Sequence, residues 1–219
     1  MVTKLATVLA DPRFSGPSDE EIAHWEAQEI EAKRLSEARL RRAQRATNIE
    51  SFRCTDAMRE ALVDGRITDT DAVTVAQTWL VERDKPWLVL SGPTGCGKSL
   101  AAASVAANHR AGTFVRADEL VRLFSSMFGE QYERQQGLRD AQLLVVDDLG
   151  CEYDAGRMLP ALLDLLDARQ SAKRHPTIVT TNLTPQAFRE RYPNDRLHSR
   201  MAELVRWEGV LSEDMRRKK

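Results

Sequence analysis

Three short stretches place reactive groups where their surroundings can use them. Gly92-Pro93-Thr94-Gly95-Cys96-Gly97-Lys98-Ser99 fits G-x-x-x-x-G-K-[ST], the P-loop pattern, without a mismatch. Glycines let successive backbone N–H groups curl round a phosphate without Cβ clashes, and a following helix adds its positive N-terminal end. In such a loop Lys98 reaches the β- and γ-phosphates and the Ser99 hydroxyl sits on Mg²⁺. Gly92 through Leu100 is therefore the expected cradle for a nucleoside triphosphate. Leu144-Val145-Val146-Asp147-Asp148-Leu149-Gly150 is an apolar run ending in two carboxylates. Hydrolysis at a phosphate asks for one acid near Mg²⁺ and another near the attacking water. Asp147 takes the metal role and Asp148 the water-polarising role. Thr180-Thr181-Asn182 closes another apolar run. The Asn182 amide there can hydrogen-bond a γ-phosphate or hold the lytic water.

Only a parallel sheet brings such groups to one edge, and the flanking sequence predicts one. Residues 87–91 are β-prone and lead into the glycine loop, and residues 100–107 lead out as helix. Residues 113–116, 143–146 and 177–181 read as strands, the last two apolar on both faces as buried parallel strands are. Residues 117–128 and 158–169 read as helices, with Phe124 and Phe128 facing the core. Between them, residues 129–137 form an intervening polar stretch. Thr184-Pro185 and Asn194-Asp195 open two more helices, and residues 203–207 read as a last strand. This rhythm predicts a three-layer α/β sandwich.

Upstream, residues 52–80 are helical in pattern, cut at Asp64-Gly65. Ser18 with Glu21 forms a capping box that opens a helix to about Arg45. Its front is acidic and its rear basic, in keeping with the helix dipole. Ile22, Trp25, Ile30, Leu35 and Leu40 make only a thin apolar stripe. This helix either packs on a partner or stands as a solvated arm.

The bulk properties exclude several classes. A chain of 219 residues suits one domain with an appendage. A net charge of −1 argues against non-specific coating of nucleic acid. Cys54, Cys96 and Cys151 lie far apart with no C-x-x-C, so neither a disulfide framework nor a zinc site is expected, which fits a reducing cytosol. The first residues carry a lone lysine and an apolar run broken by threonines, so no signal peptide is expected. No membrane-spanning stretch is present in the sequence, and a cytoplasmic protein is expected.

The glycine loop, residues 144–150, Leu163-Asp164-Leu165-Leu166-Asp167-Ala168-Arg169 and Thr177-Ile178-Val179-Thr180-Thr181-Asn182-Leu183 together resemble known blocks. They look like those of the DnaC-like bacterial helicase loaders and, equally, of the IstB-like transposition helper ATPases, both of the AAA+ superfamily. The resemblance covers about residues 52–219. It implies a P-loop NTPase fold of AAA+ type with a five-stranded parallel sheet, the first strand lying between the fifth and the fourth. It also implies ATP·Mg²⁺ as cofactor and hydrolysis shared between self-associated subunits. In these families an N-terminal region, here residues 1–51, docks a replicative helicase or a transposase, and the ATPase part contacts DNA.

By position, Asn182 matches the family's sensor I. Asp195-Arg196-Leu197-His198-Ser199-Arg200 matches the block carrying the arginine finger, with Arg196 the first choice and Arg200 the second. Arg216 matches sensor II. The polar stretch with Tyr132 and Arg134, and Phe124 nearby, lies where loaders contact single strands, and aromatic stacking beside arginine suits that. Two departures stand out. Many AAA+ proteins have Glu where this chain has Asp148, which implies slower hydrolysis. The sequence also ends shortly after Trp207, so the helical lid of a full module is expected to be reduced or absent. The expected activity is ATP-driven helicase loading on single-stranded DNA, with two alternatives: transposition support on double-stranded DNA, and a nucleotide-switched adaptor with negligible turnover. A P-loop small-molecule kinase is disfavoured for want of an arginine-rich lid.

Overall fold

Strand β1 (Trp87–Ser91) is buried along its whole length, because it is flanked by strands on both edges and covered on both faces. The others are β2 (Gly112–Arg116), β3 (Leu143–Leu149), β4 (Thr177–Thr181) and β5 (Val205–Gly209). All pair in parallel, in the order β2-β3-β4-β1-β5. This is the expected sheet, read from its other edge. The computed structural model describes residues 17–66, 70–125, 128–170 and 175–210. Arg216 lies outside the described residues, as do the first residues read for a leader.

The chain divides into two units, Met1–Arg41 and Arg42–Lys219. Helix α1 (Asp19–Asn48) supplies all the described structure of the first. Its capping box forms as the sequence predicts. Glu21 Oε2 accepts the Ser18 N–H at 2.8 Å, and Ser18 Oγ accepts the Glu21 N–H at 3.2 Å. Trp25, Ile30, Leu35 and Leu40 all lie more than half exposed, so the thin stripe finds no core within its own unit.

In the second unit the sheet is sandwiched. The remaining helices are α2 (Asp56–Val63), α3 (Asp71–Glu82), α4 (Lys98–Asn108), α5 (Ala117–Phe124), α6 (Gly129–Asp140), α7 (Ala155–Gln170), α8 (Pro185–Arg191) and α9 (Asp195–Leu204). Period-two alternation sends Leu88, Leu90, Val145 and Ile178 to one face, under α2, α3 and α4. Trp87, Val89, Leu144, Val146 and Val179 point to the other, under α5 to α9. Helix α4 is nearly all small residues, with Ala101, Ala102, Ala103, Ala106 and Ala107 buried. Small side chains bring its axis close to the sheet, which fixes the loop at its N-terminus. Its C-terminal carbonyls are capped from α1, whose Asn48 amide donates to Ala106 O at 2.9 Å and His109 O at 2.7 Å.

Local signals hold well at helix starts. Thr55, Thr70, Thr184 and Asn194 each accept an N–H from the first turn of α2, α3, α8 and α9. The polar stretch after Phe128 forms helix α6. Its Glu, Gln and Arg residues favour helix, although only Gln135 and Leu138 are buried. Helix α5 stops at Phe124, which packs on the core, whereas Phe128 is 84 % exposed and begins α6 rather than facing inward. The last strand begins two residues later than the sequence pattern suggests, because α9 runs on to Leu204.

Arg169, at the end of α7, is fully buried. It donates to Leu138 O, Arg139 O and Ala141 O at 2.8–3.0 Å, and to His175 O, Pro176 O and Thr177 Oγ1 at 2.8–3.2 Å. One guanidinium thus ties the end of α6 to the start of β4. Burial pushes it down to about 10, and it stays charged at neutral pH.

Candidate nucleotide site

Strand order decides which groups can meet. Strand β4 lies between β1 and β3, so its carboxyl end stands between the glycine loop and the Asp147-Asp148 pair. Ligand sites in open α/β sheets form at that end of the strands.

The loop after β1 is built for close approach. A Cβ on Gly92 would fall 2.2 Å from the Val210 carbonyl oxygen, so only glycine fits. Gly97 caps α4 at φ +90°, in the left-handed region, and no side chain caps the helix. The first N–H groups of α4 therefore face outward among the described residues, as an anion cradle requires. Cys96 is buried, within 3.5 Å of the Lys98 ammonium at Sγ. Lys98 is itself 5 % exposed and donates to Gly92 O and Pro93 O, both at 2.8 Å, and to Asn182 Oδ1 at 3.1 Å. The structure thus brings Lys98 and Asn182 together across β1 and β4.

The second half of the site is held by a hydroxyl that the motif reading overlooked. Thr180 Oγ1 donates to Asp147 Oδ1 at 2.6 Å and accepts the Asp148 N–H at 3.0 Å. Next to it, Thr181 Oγ1 donates to Leu149 O at 2.6 Å. The available signal was two hydroxyl residues at the end of a buried apolar strand, where nothing else explains them. Asp147 is 5 % exposed. Burial raises its carboxyl above the usual range, and hydrogen bonds from Thr180 and Ser99 pull it partly back. The acid and Ser99 are therefore neighbours, as a shared cation would need.

Asp148 shows why the chain departs from Glu here. Its φ is +58°, and β3 carries a register shift between Val146 and Leu149 at this point. A left-handed backbone costs a non-glycine residue about 1 kcal/mol or more, and Asp and Asn bear it best. Glu is less suited. At the bulge Asp148 is half-buried, next to the last residue of β3.

Arg196 is not brought to this group. It donates to Asp167 Oδ2 at 2.6 Å, and Arg200 reaches Asp167 Oδ1 at 3.2 Å. One carboxylate on α7 holds both finger candidates on α9. In the polar helix α6, Arg134 pairs with Glu119 at 2.7 Å and Tyr132 is exposed.

A family model, IstB-like ATP binding protein, matches residues 17–206. The chain belongs to this family. No curated protein matches the sequence. Among solved structures it is similar to DnaI, at 20% identity and TM-score 0.54, over 74% of this chain and 94% of that one. It is also similar to the DnaC helicase loader, at 16% identity and TM-score 0.51, over 76% of this chain and 97% of that one. AMPPCP-bound DnaA from Aquifex aeolicus matches at 17% identity and TM-score 0.51, over 78% and 52% of the two chains. At these identities the likeness is one of fold alone, the five-stranded parallel sheet with helices on both faces. Among the described residues, no helix is long and apolar enough to cross a membrane.

Proposed function

We propose that this protein is an ATP-hydrolysing AAA+ helper of DNA replication, acting in the cytoplasm with a replicative helicase on single-stranded DNA. The observation that carries the ATPase part is the meeting of Lys98, Asn182, Ser99 and Asp147 around one strand end. Bound ATP·Mg²⁺ supplies the γ-phosphoryl group and the metal charge. Loop N–H groups from Gly92 to Leu100 cradle phosphate, and Lys98 trades its loop carbonyls for phosphate oxygens. Ser99 and Asp147 would hold the cation. Asp148 takes a proton from the attacking water, and Asn182 orients that water or the γ-phosphate. Arg196 serves the neighbouring subunit's site, with Arg200 behind it; its separation from Lys98 and its surface position on α9 support a role between subunits. Arg216 completes the assignment as sensor II. The N-terminal region, residues 1–51, is the docking element for the helicase.

The family match itself favours a second reading, an IstB-like role with a transposase on double-stranded DNA. Turnover measured with either DNA form separates the two. Stimulation by single strands supports loading, stimulation by duplex supports transposition, and ATP binding without turnover leaves a nucleotide-switched adaptor. Lys98→Ala tests the base of every reading. Loss of ATP affinity by about 100-fold is expected, as for a charge-assisted contact worth 2–3 kcal/mol, and unchanged affinity would refute the site.

A further inference from the structure

Beneath the Asp148 turn lies a buried acid to which the proposed chemistry gives no task. Glu152 is 3 % exposed. Its Oε2 accepts the Gly150 N–H at 2.8 Å. Its Oε1 accepts Arg191 Nε at 3.1 Å and, in a short bond, the Tyr192 hydroxyl, while Arg191 also donates to the Glu152 carbonyl at 2.6 Å. Burial, and then the carboxylate beside it, push the Tyr192 hydroxyl far up, so it remains a donor. The anchored turn has little slack. Gly150 sits at φ +98°, and a Cβ there would come within 2.7 Å of Leu183, the residue after Asn182. Asp148 is held from its other side by Thr180, and its carbonyl accepts the Cys151 N–H at 3.1 Å. Strained backbone persists only where surrounding contacts over-determine it, and Glu152 adds to those from Thr180 and Thr181 a contact at Gly150, two residues after Asp148. From the same cluster, the Tyr192 carbonyl meets the His198 ring at 2.8 Å, on the helix that carries Arg196.

We propose that Glu152 is a positioning residue for hydrolysis, holding the Asp148–Gly150 turn so that the Asp148 carboxylate keeps its aim. This rests on Asp148 acting as the base. Glu152→Gln keeps the side chain's volume and one acceptor oxygen while removing the charge that Arg191 and Tyr192 clamp. Single-turnover rates should fall about 10- to 100-fold, as sub-ångström misplacement does, with affinity for a non-hydrolysable ATP analogue held within about threefold. In an Asp148→Asn background the same change should cost nothing further, because its effect passes through that carboxylate. An unchanged rate in folded Glu152→Gln overturns the proposal. So does an equal second loss on top of Asp148→Asn, or analogue affinity falling in step with the rate. If Glu152→Gln does not fold, Tyr192→Phe loosens the acid while sparing its Gly150 bond, and the same three readings apply. A wild-type protein that binds the analogue but never turns over ATP fails at the first measurement, and the base role of Asp148 falls with it.

Discussion

Asp147 carries its charge in an environment that disfavours it. A raised carboxyl means the folded state prefers the protonated form. The penalty is therefore present above the folded pKa and relieved as pH falls towards the unfolded value of 3.8. Asp147→Asn should stabilise the nucleotide-free protein at neutral pH by about 0.5–2 kcal/mol, the usual gain when a functional strain is removed. Its melting temperature would rise by a few degrees, and the gain would fade in acid. The same variant should lose the extra stabilisation that Mg²⁺ adds to bound ATP. Thermal melts with chelator, with ATP and with ATP·Mg²⁺ read both effects. Gly92→Ala makes the opposite point: its Cβ meets backbone, not a yielding side chain. A loss of about 1–3 kcal/mol is expected, with weaker ATP binding. Lys98, Ser99 and the acid pair were legible because their spacing along the chain is itself the signal. Thr180 and the left-handed Asp148 were not, since each acquires meaning only when β4 lies against β3.

Among the elements, Arg169 has the widest reach. Its donors serve carbonyls at the end of α6 and at the entry to β4. Arg169→Met should cost about 3–5 kcal/mol, because several buried acceptors lose their partner at once. The melting point would drop by about 10 °C, with Arg169→Lys recovering part of it; urea unfolding checks the order. Asn48 acts on a smaller scale at the far end of α4. Removing residues 1–41 leaves that cap in place, whereas removing residues 1–48 does not. The shorter deletion should keep nucleotide binding and lose the partner, while the longer one also loses about 1–2 kcal/mol of stability. Helices with caps and periodic faces were readable from sequence. Helix α6 was not, since its apolar content is too low to mark a face and its end is secured by Arg169 from another element.

At the scale of the whole molecule, the site is shared if Arg196 works from outside. Asp167 holds Arg196 and Arg200 on one face of α7 and α9, and a neighbour's phosphate would have to compete for them. Arg196→Ala should lower turnover by about 10³-fold. Mixing it with Asp148→Asn subunits should restore part of the activity, since some interfaces would then pair an intact finger with an intact base; no rescue would place Arg196 outside the reaction. The sheet and its layers could be anticipated because alternating apolar runs and helices leave few parallel arrangements. Partner choice could not, because it belongs to surfaces whose chemistry is not periodic. The backbone at Asp148 also sets which descendants of this protein are accessible. Glycine and asparagine suit a left-handed φ as well as aspartate does, and each is a single base change from an aspartate codon. Either would preserve the fold and the phosphate cradle while removing the base. If Asp148 is the base proposed above, a lineage could thus keep ATP as a signal while losing its hydrolysis, without first passing through an unstable protein.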